Sequence, residues 1–284
     1  MCDLLLLCVC EFRRRRALLI GNNEYVHVSK LRYCVKDADD MAEVLKQKEL
    51  GFECTVKSNL DSATMHKEIR KFTDELEDDD LAFFYFSGHG SQIDQRTYLL
   101  PVDIGTESDV QLEGYSLELL ATTLSRREHV VSVLVVDCCR SAEPRTPLEP
   151  LVKPEPGAAT EASDTDMEDA ASVASSASVQ ALTKSEYEEQ CRDALTRAAR
   201  SGPGEVVILF SSSRGQSSYE DPAARNGRFT SCLVRHLAQP GVDIDTIYKN
   251  VNRDMYKALQ VKPTAKQQPW QLGSLRHKLV LRHK

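Results

Sequence analysis

A chain of 284 residues with 41% hydrophobic residues is long enough to bury one large core or two small ones. Its net charge of −7 and the lack of a basic stripe exclude a nucleic-acid binder of the usual electrostatic kind. Nine cysteines, at positions 2, 8, 10, 34, 54, 138, 139, 191 and 232, show neither the spacing of a secreted disulfide scaffold nor paired CxxC motifs, so reduced thiols in the cytoplasm are expected.

Residues 1–12 form an apolar, cysteine-rich extension. Leu4 to Leu7, with Cys8 and Val9, is too short to span a bilayer. Arg13 to Arg16 follow this run, whereas a signal peptide carries its charges before it. Acylation of Cys2, Cys8 or Cys10, with the arginines against an anionic membrane surface, is one reading. An extra strand or a misplaced gene start is preferred to it.

From Ala17 strands and helices take turns. Ala17 to Gly21 reads as a strand, and a helix follows over about Asp37 to Gln47, where Ala38, Met41, Ala42 and Leu45 recur at helical spacing. Phe52 to Val56 is a strand, and Ser62 to Leu76 a helix opening on Asp61 as N-cap. Next come a buried-type strand at Leu81 to Phe86, a short strand at Tyr98 to Pro101, a helix over Leu117 to Ser125 and a strand at Val131 to Val136. Such alternation implies a mostly parallel sheet covered on both faces.

After Arg140 the composition breaks. Residues 141–180 hold five prolines, eight acidic and two basic residues and no aromatic, so they cannot offset their ordering entropy and read as an exposed linker. A helix over about Lys184 to Arg200, a strand at Glu205 to Phe210, helices at Phe229 to Leu237 and Ile244 to Leu259, and an extended end at Trp270 to Leu281 complete the pattern. The expected organisation is an extension (1–12), a larger piece (13–140), an acidic linker (141–182) and a smaller piece (183–284) continuing the same sheet.

Two strands end in reactive residues. The first runs into Ser87-Gly88-His89-Gly90 and the second into Asp137-Cys138-Cys139-Arg140. Ligands and chemistry collect at the C-terminal ends of strands in such a sheet. A thiol attacks as thiolate, which a nearby imidazole generates, so His89 and Cys139 form a candidate catalytic dyad. The glycines flanking His89 suggest a tight turn that exposes the ring. Backbone N–H groups of Gly90 and Cys139 are the candidate oxyanion donors. A zinc site on His89, Cys138 and Cys139 is disfavoured, since adjacent residues of a strand point to opposite faces.

These segments resemble the caspase-like cysteine peptidases, specifically the metacaspase and paracaspase branch. Tyr85-Phe86-Ser87-Gly88-His89-Gly90-Ser91-Gln92 is similar to the family's histidine motif, and Asp137-Cys138-Cys139-Arg140-Ser141 to its Asp-x-Cys nucleophile motif. The His89-to-Cys139 separation suits a caspase-type pair. Ala17 to Asn22, Leu31 to Ala38, Pro101-Val102-Asp103, Asn226 to Thr230 and Gln268-Pro269 also resemble family segments. The resemblance implies a three-layer α-β-α sandwich around a mostly parallel six-stranded sheet, with a large-subunit-like and a small-subunit-like part.

It also implies a basic P1 residue, held by Cys34, Asp37, Ser87 and Asp137. Two carboxylates in a narrow cleft favour a guanidinium, which bonds bidentately. The plainer roles are a helix-start acid for Asp37 and a loop orienter for Asp137. Arg140 stands where metacaspases usually carry His and is more caspase- or paracaspase-like, as is the short loop from Gly90 to Pro101. The family's activating calcium cluster has Asp109 as its only remnant, with Glu143 where an Asp would be sought. No cofactor is required on this reading, and calcium activation is left open.

Cleavage of the linker could mature the enzyme. Arg145, Lys153 and Lys184 would suit a basic preference, and Asp164, Asp166 and Asp169 a caspase-like one. The competing functions are an Asp-directed peptidase, with Arg32 lending the positive charge, and a non-proteolytic scaffold. Intact His89 and Cys139 count against the scaffold. Expected partners are peptide and protein substrates, with no nucleic acid and no membrane; the oligomeric state is open.

Overall fold

The computed structural model describes residues 12–94, 96–105, 109–138, 194–213, 216, 218–221, 223–261 and 267–282. Cys139, Arg140, Glu143 and the 141–182 linker lie outside them, as do Cys2, Cys8, Cys10, Lys184 and Cys191. In chain order the elements are β1 (Arg14–Gly21), α1 (Cys34–Leu45), β2 (Glu53–Ser58), α2 (Ser62–Asp74), β3 (Asp80–Gly88), β4 (Gly90–Ile93) and β5 (Arg96–Leu99). Then follow α3 (Val110–Glu113), β6 (Tyr115–Ser116), α4 (Leu117–Ser125), β7 (Val131–Cys138), a helical stretch α5 at 194–199 and β8 (Glu205–Phe210). The last are β9 (Glu220–Asp221), β10 (Asn226–Gly227), α6 (Arg228–Leu237), α7 (Ile244–Val261) and β11 (Trp270–Gly273).

Six strands form one sheet in the order β11-β8-β7-β3-β1-β2. All neighbours run parallel except β11, which lies antiparallel on β8. This is the expected mostly parallel six-stranded sheet. The central strands are buried on both faces, which is why β3 and β7 are continuous apolar runs rather than alternating ones.

The pleat sorts their side chains into two cores. Phe84, Phe86, Leu134 and Val136 pack against α2, α4 and α5 through Ile69, Leu120 and Leu195. Phe83, Tyr85, Val133 and Val135 pack against α1, α6 and α7 through Met41, Leu233 and Val251. Helices therefore cover both faces, giving three layers. A small sheet of β4, β5 and β6 closes a third cluster around Tyr25, Val28, Tyr98 and Leu100.

Several boundaries differ from those expected. Strand β1 begins at Arg14 instead of Ala17, because its arginines have partners. Arg14 meets Asp80 through Nε (2.9 Å) and Nη2 (2.7 Å), Arg16 Nη2 meets Glu75 at 2.7 Å, and Arg13 Nη1 meets Glu77 at 2.9 Å. Arg15 Nη1 donates to the carbonyls of Leu50 (3.1 Å) and Leu281 (2.5 Å). Arg14, Arg15 and Arg16 are thus half-buried and bound up in the fold, while Arg13 stays exposed. No helix among the described residues is long and apolar enough to cross a membrane.

Helix α1 begins at Cys34 rather than Asp37. Asn23 Oδ1 accepts from the N–H groups of Cys34 (2.9 Å) and Val35 (3.4 Å), capping the helix from outside its own first turn. Helix α2 starts as expected, with Asp61 accepting from Thr64 N at 2.7 Å, but stops at Asp74. The C-terminal stretch is not extended to Leu281. Strand β11 ends at Gly273 opposite Val207, near the start of β8, and the chain then turns to bridge Asp243 through Val280.

Gly21 closes β1 against the start of α1. A Cβ there would lie 2.3 Å from the Cys34 carbonyl oxygen and 2.7 Å from Val35 Cα, both backbone atoms that cannot swing away. Gly21→Ala is therefore expected to destabilise the protein by about 1–3 kcal/mol, read as a lowered midpoint in denaturant unfolding. An unchanged midpoint would show that α1 can retreat freely.

Candidate active site

In-register pairing of parallel strands delivers the site. Gly21 pairs with Ser87, and Ser87 with Asp137, so the ends of β1, β3 and β7 form one row at the C-terminal edge. Ser87 and Asp137 fall on the face covered by α1 and α6. Cys138, one residue on, points into the opposite core beside Val136 and Phe210 and is 2% exposed. Cys139 itself lies outside the described residues.

His89 sits between β3 and β4 and is buried. Its Nε2 lies 2.7 Å from the Ser29 carbonyl oxygen. A carbonyl only accepts, so Nε2 carries a proton and Nδ1 is the nitrogen left to exchange one. The Tyr25 ring packs at 4.4 Å and 54° to the imidazole, and its hydroxyl accepts from His89 N at 2.7 Å. That hydroxyl in turn donates to the Leu100 carbonyl at 3.1 Å.

The flanking glycines do not supply a left-handed turn. Gly51 and Gly241 are the glycines with positive φ among the described residues. Gly88 is needed for close packing instead: a Cβ there would stand 2.6 Å from Tyr25 Oη and 2.8 Å from Phe86 Cζ. Gly90 opens β4 opposite Leu99, and its N–H follows the histidine directly.

Beside His89 lies a narrow cleft of about 40 Å³. Cys34, Asp37, Ser87 and Asp137 all line it, so the four residues expected to hold P1 do converge. Leu31 and Tyr219 supply apolar walls, and Glu220 adds a third carboxyl group. Glu220 Oε1 accepts from the backbone N–H of Arg32 (2.8 Å) and Tyr33 (3.2 Å), tying β9 to the start of α1. The Arg32 side chain is exposed and is not among the lining residues.

Neutral donors hold the two aspartates. Asp37 Oδ1 accepts from Asn226 Nδ2 (3.0 Å) and Gly227 N (2.9 Å), and its Oδ2 from Ser87 Oγ (3.2 Å). Asp137 Oδ1 accepts from Ser218 Oγ (2.6 Å) and Oδ2 from Thr230 Oγ1 (2.7 Å). Behind them Tyr85 Oη is 2.6 Å from Thr230 Oγ1, and Gln267 Nε2 donates to Ser218 Oγ at 3.1 Å. A Cβ on Gly227 would sit 2.8 Å from Asp137 Oδ2 and 3.1 Å from Asp37 Oδ2, so both carboxylates border that empty position.

Asp37 and Asp137 are 2% and 4% exposed, and among the described residues no Lys or Arg pairs with either. Burial, then the neighbouring Asp137 charge, push the Asp37 carboxyl up to about 7, against the pull of Gly227, Asn226 and Ser87. Burial also raises the Cys34 thiol and the Tyr85 phenol. The site is thus a water-poor pair of acids without a counter-ion of its own.

A model of the caspase domain matches residues 14–280. The chain belongs to the caspase-domain family. That family is one of cysteine peptidases with protein substrates. Caspase-1 from Spodoptera frugiperda is similar in structure, with a TM-score of 0.59 and 18% identity over 95% of this chain and 90% of that one. A crystal structure of a Geobacter sulfurreducens protein is similar at a TM-score of 0.57 and 18% identity, over 92% and 93%. At that identity the likeness speaks for the fold alone. Curated protein sequences give no match.

Sequence reasoning missed Tyr25, Ser29, Ser218, Glu220 and Gln267. Asn226, Gly227 and Thr230 resemble family positions in the sequence, which by itself assigns them no role. Asp109 stands before the short helix α3 with its Oδ2 where a Gly105 Cβ would go, 2.7 Å away. Among the described residues no group of three or more His, Cys, Asp or Glu could hold a metal ion, and Glu143 lies outside them.

The raised Asp37 carboxyl has a consequence for stability. Its folded value, about 7, lies above the unfolded one of 3.8. The stability linked to it is therefore fully present below pH 3.8 and is lost as pH rises through 7. In a Cys139→Ala background, Asp37→Asn is expected to gain stability relative to the parent as pH rises from 4 to 8, measured by denaturant unfolding. Parallel pH curves for the two proteins would refute the burial of an unpaired charge.

Proposed function

We propose that this chain is a cysteine endopeptidase of the metacaspase and paracaspase branch, cutting after Arg or Lys through His89 and Cys139. The observation that carries the reading is the cleft beside His89, where Asp37 and Asp137 are buried together with no cation paired to them among the described residues. A guanidinium entering there replaces like-charge repulsion with two charge-assisted contacts, and Glu220 adds a third negative group at the rim. The same cleft would repel an Asp side chain, which disfavours an Asp-directed enzyme.

In the proposed reaction the Cys139 sulfur, as thiolate, bonds to the carbonyl carbon of the P1 residue. The developing oxyanion takes hydrogen bonds from the Gly90 and Cys139 N–H groups. The C–N bond then breaks, and protonated His89 gives its Nδ1 proton to the departing amine. Water attacks the thioester, with Nδ1 taking its proton, and the acid product and the free thiolate are released. The Ser29 carbonyl keeps the Nε2 proton in place throughout and so fixes the tautomer. No step is routed through a metal.

Fluorogenic peptides with Arg, Lys or Asp at P1, with and without calcium, test the reading. Cleavage after Arg and Lys is expected; cleavage only after Asp would overturn the pocket assignment, and none under any condition would favour a scaffold. His89→Ala is expected to lower kcat by about 10²–10⁴-fold. Asp137→Asn should raise KM for an Arg substrate by about 30-fold or more, the loss of one partner of a buried charged contact.

The 141–182 segment is proposed as a maturation linker, with Arg145 and Lys153 within it and Lys184 just beyond it as the sites that fit this specificity. Intact mass of the wild-type protein beside Cys139→Ala is expected to show a cut only in the former. Identical masses would remove self-cleavage from the account.

A further inference from the structure

Asn226 lies behind the cleft rather than in it, on β10, and is buried. Its amide is fully used. Nδ2 donates to Asp37 Oδ1 (3.0 Å) and to Asp40 Oδ2 (2.7 Å), while Oδ1 accepts from Lys36 Nζ at 3.2 Å. Lys36 also pairs with Asp40 along α1. Two carboxylates on one side and an ammonium on the other leave a single orientation for the amide.

That orientation decides how Asp37 faces the substrate. With Oδ1 occupied by Asn226 and Gly227, the other oxygen, Oδ2, takes only the longer bond from Ser87 and borders the open position at Gly227. The atom with acceptor capacity to spare is the one on the cleft side.

We propose that Asn226 is a positioning residue for P1 recognition: it holds Asp37 turned into the cleft and favours its charged form against the pull of its acidic neighbours. This rests on the reading that the cleft takes a basic side chain. The charged and titratable groups around Asp37 are Cys34, Lys36 and Asp40 from α1, Tyr85 from β3 and Asp137 from β7. Glu220 from β9 and His89 stand along the cleft. Apart from Lys36, which reaches Asp37 only through the Asn226 amide, and His89, none of these favours the carboxylate by its charge. The amide and its neighbours Gly227 N–H and Ser87 carry that task.

The rival account is that Asn226 merely pins β10 to α1. The full chain, labelled with ¹³C-carboxyl aspartate, separates the two. The Asp37 signal, assigned with Asp37→Asn, should titrate near 7 in the wild type. In Asn226→Leu its midpoint is expected to rise by about one pH unit. For an Arg substrate, kcat/KM at pH 7 should fall about fivefold through KM, with kcat held, and the deficit should close toward pH 9.

Asn226→Ser, whose hydroxyl is too short to reach both carboxylates, should shift the midpoint the same way and serves if the leucine variant does not fold. An unmoved midpoint, or a loss equal at every pH, would overturn the proposal. If the wild type fails to cleave after Arg while the midpoint still moves, the positioning role stands and the Arg specificity falls. Arg cleavage with an unmoved midpoint gives the reverse.

Discussion

Asp37 and Asp137 lie almost out of water on either side of Gly227, with no cation among the described residues to neutralise them. Like charges so placed repel, and removing them from water adds to the cost. What holds them is a shell of neutral donors, Ser87, Ser218, Thr230, Asn226 and the Gly227 N–H, drawn from strands, a loop and helix α6. Each donor has to be aimed, and much of the C-terminal edge is arranged to do so. The row Gly21–Ser87–Asp137 places one acid; Asn23, capping α1 at Cys34, helps place the other. Glu220 and Gln267 lock the loop that carries Ser218.

The imidazole follows the same pattern. His89 is wedged against Tyr25 and tied to the Ser29 carbonyl, both from the loop after β1. That loop also supplies Leu31 to the cleft and Asn23 to the helix cap. One connection therefore orients the proposed catalytic base, walls the proposed specificity cleft and starts the helix bearing Asp37. A disturbance at any of these points would reach the other two.

Much of the sheet was legible because buried parallel strands are apolar runs, and β3, β7 and β8 differ little from their expected limits. The site was legible where function depends on side-chain type: His89, Asp37, Ser87, Asp137 and Cys34 stood out through motifs. Ser29 did not, since any residue offers a carbonyl. Glu220 and Ser218 did not, since their contacts span the chain, as Glu220 does in meeting Arg32 188 residues away. The early start of β1 had the same cause: Arg14 to Arg16 look like surface charge until Asp80 and Glu75 are set beside them. The glycines around His89 suggested a strained turn, and the crowding between Phe86 and Tyr25 accounts for Gly88 instead.

The linker leaves the chain after β7 and returns before β8, yet these two strands are immediate neighbours, paired from Val131–Glu205 to Val136–Phe210. The seam between the two halves of the polypeptide thus runs through the middle of the sheet and through the cleft, with Asp37 and Asp137 on one side and Ser218 and Gly227 on the other. A cut in the linker would turn one chain into two that neither half could afford to leave, because separation would strip a buried strand face from each. Neither fragment alone would hold all the residues that line the cleft, so a cut there would leave it shared between the two.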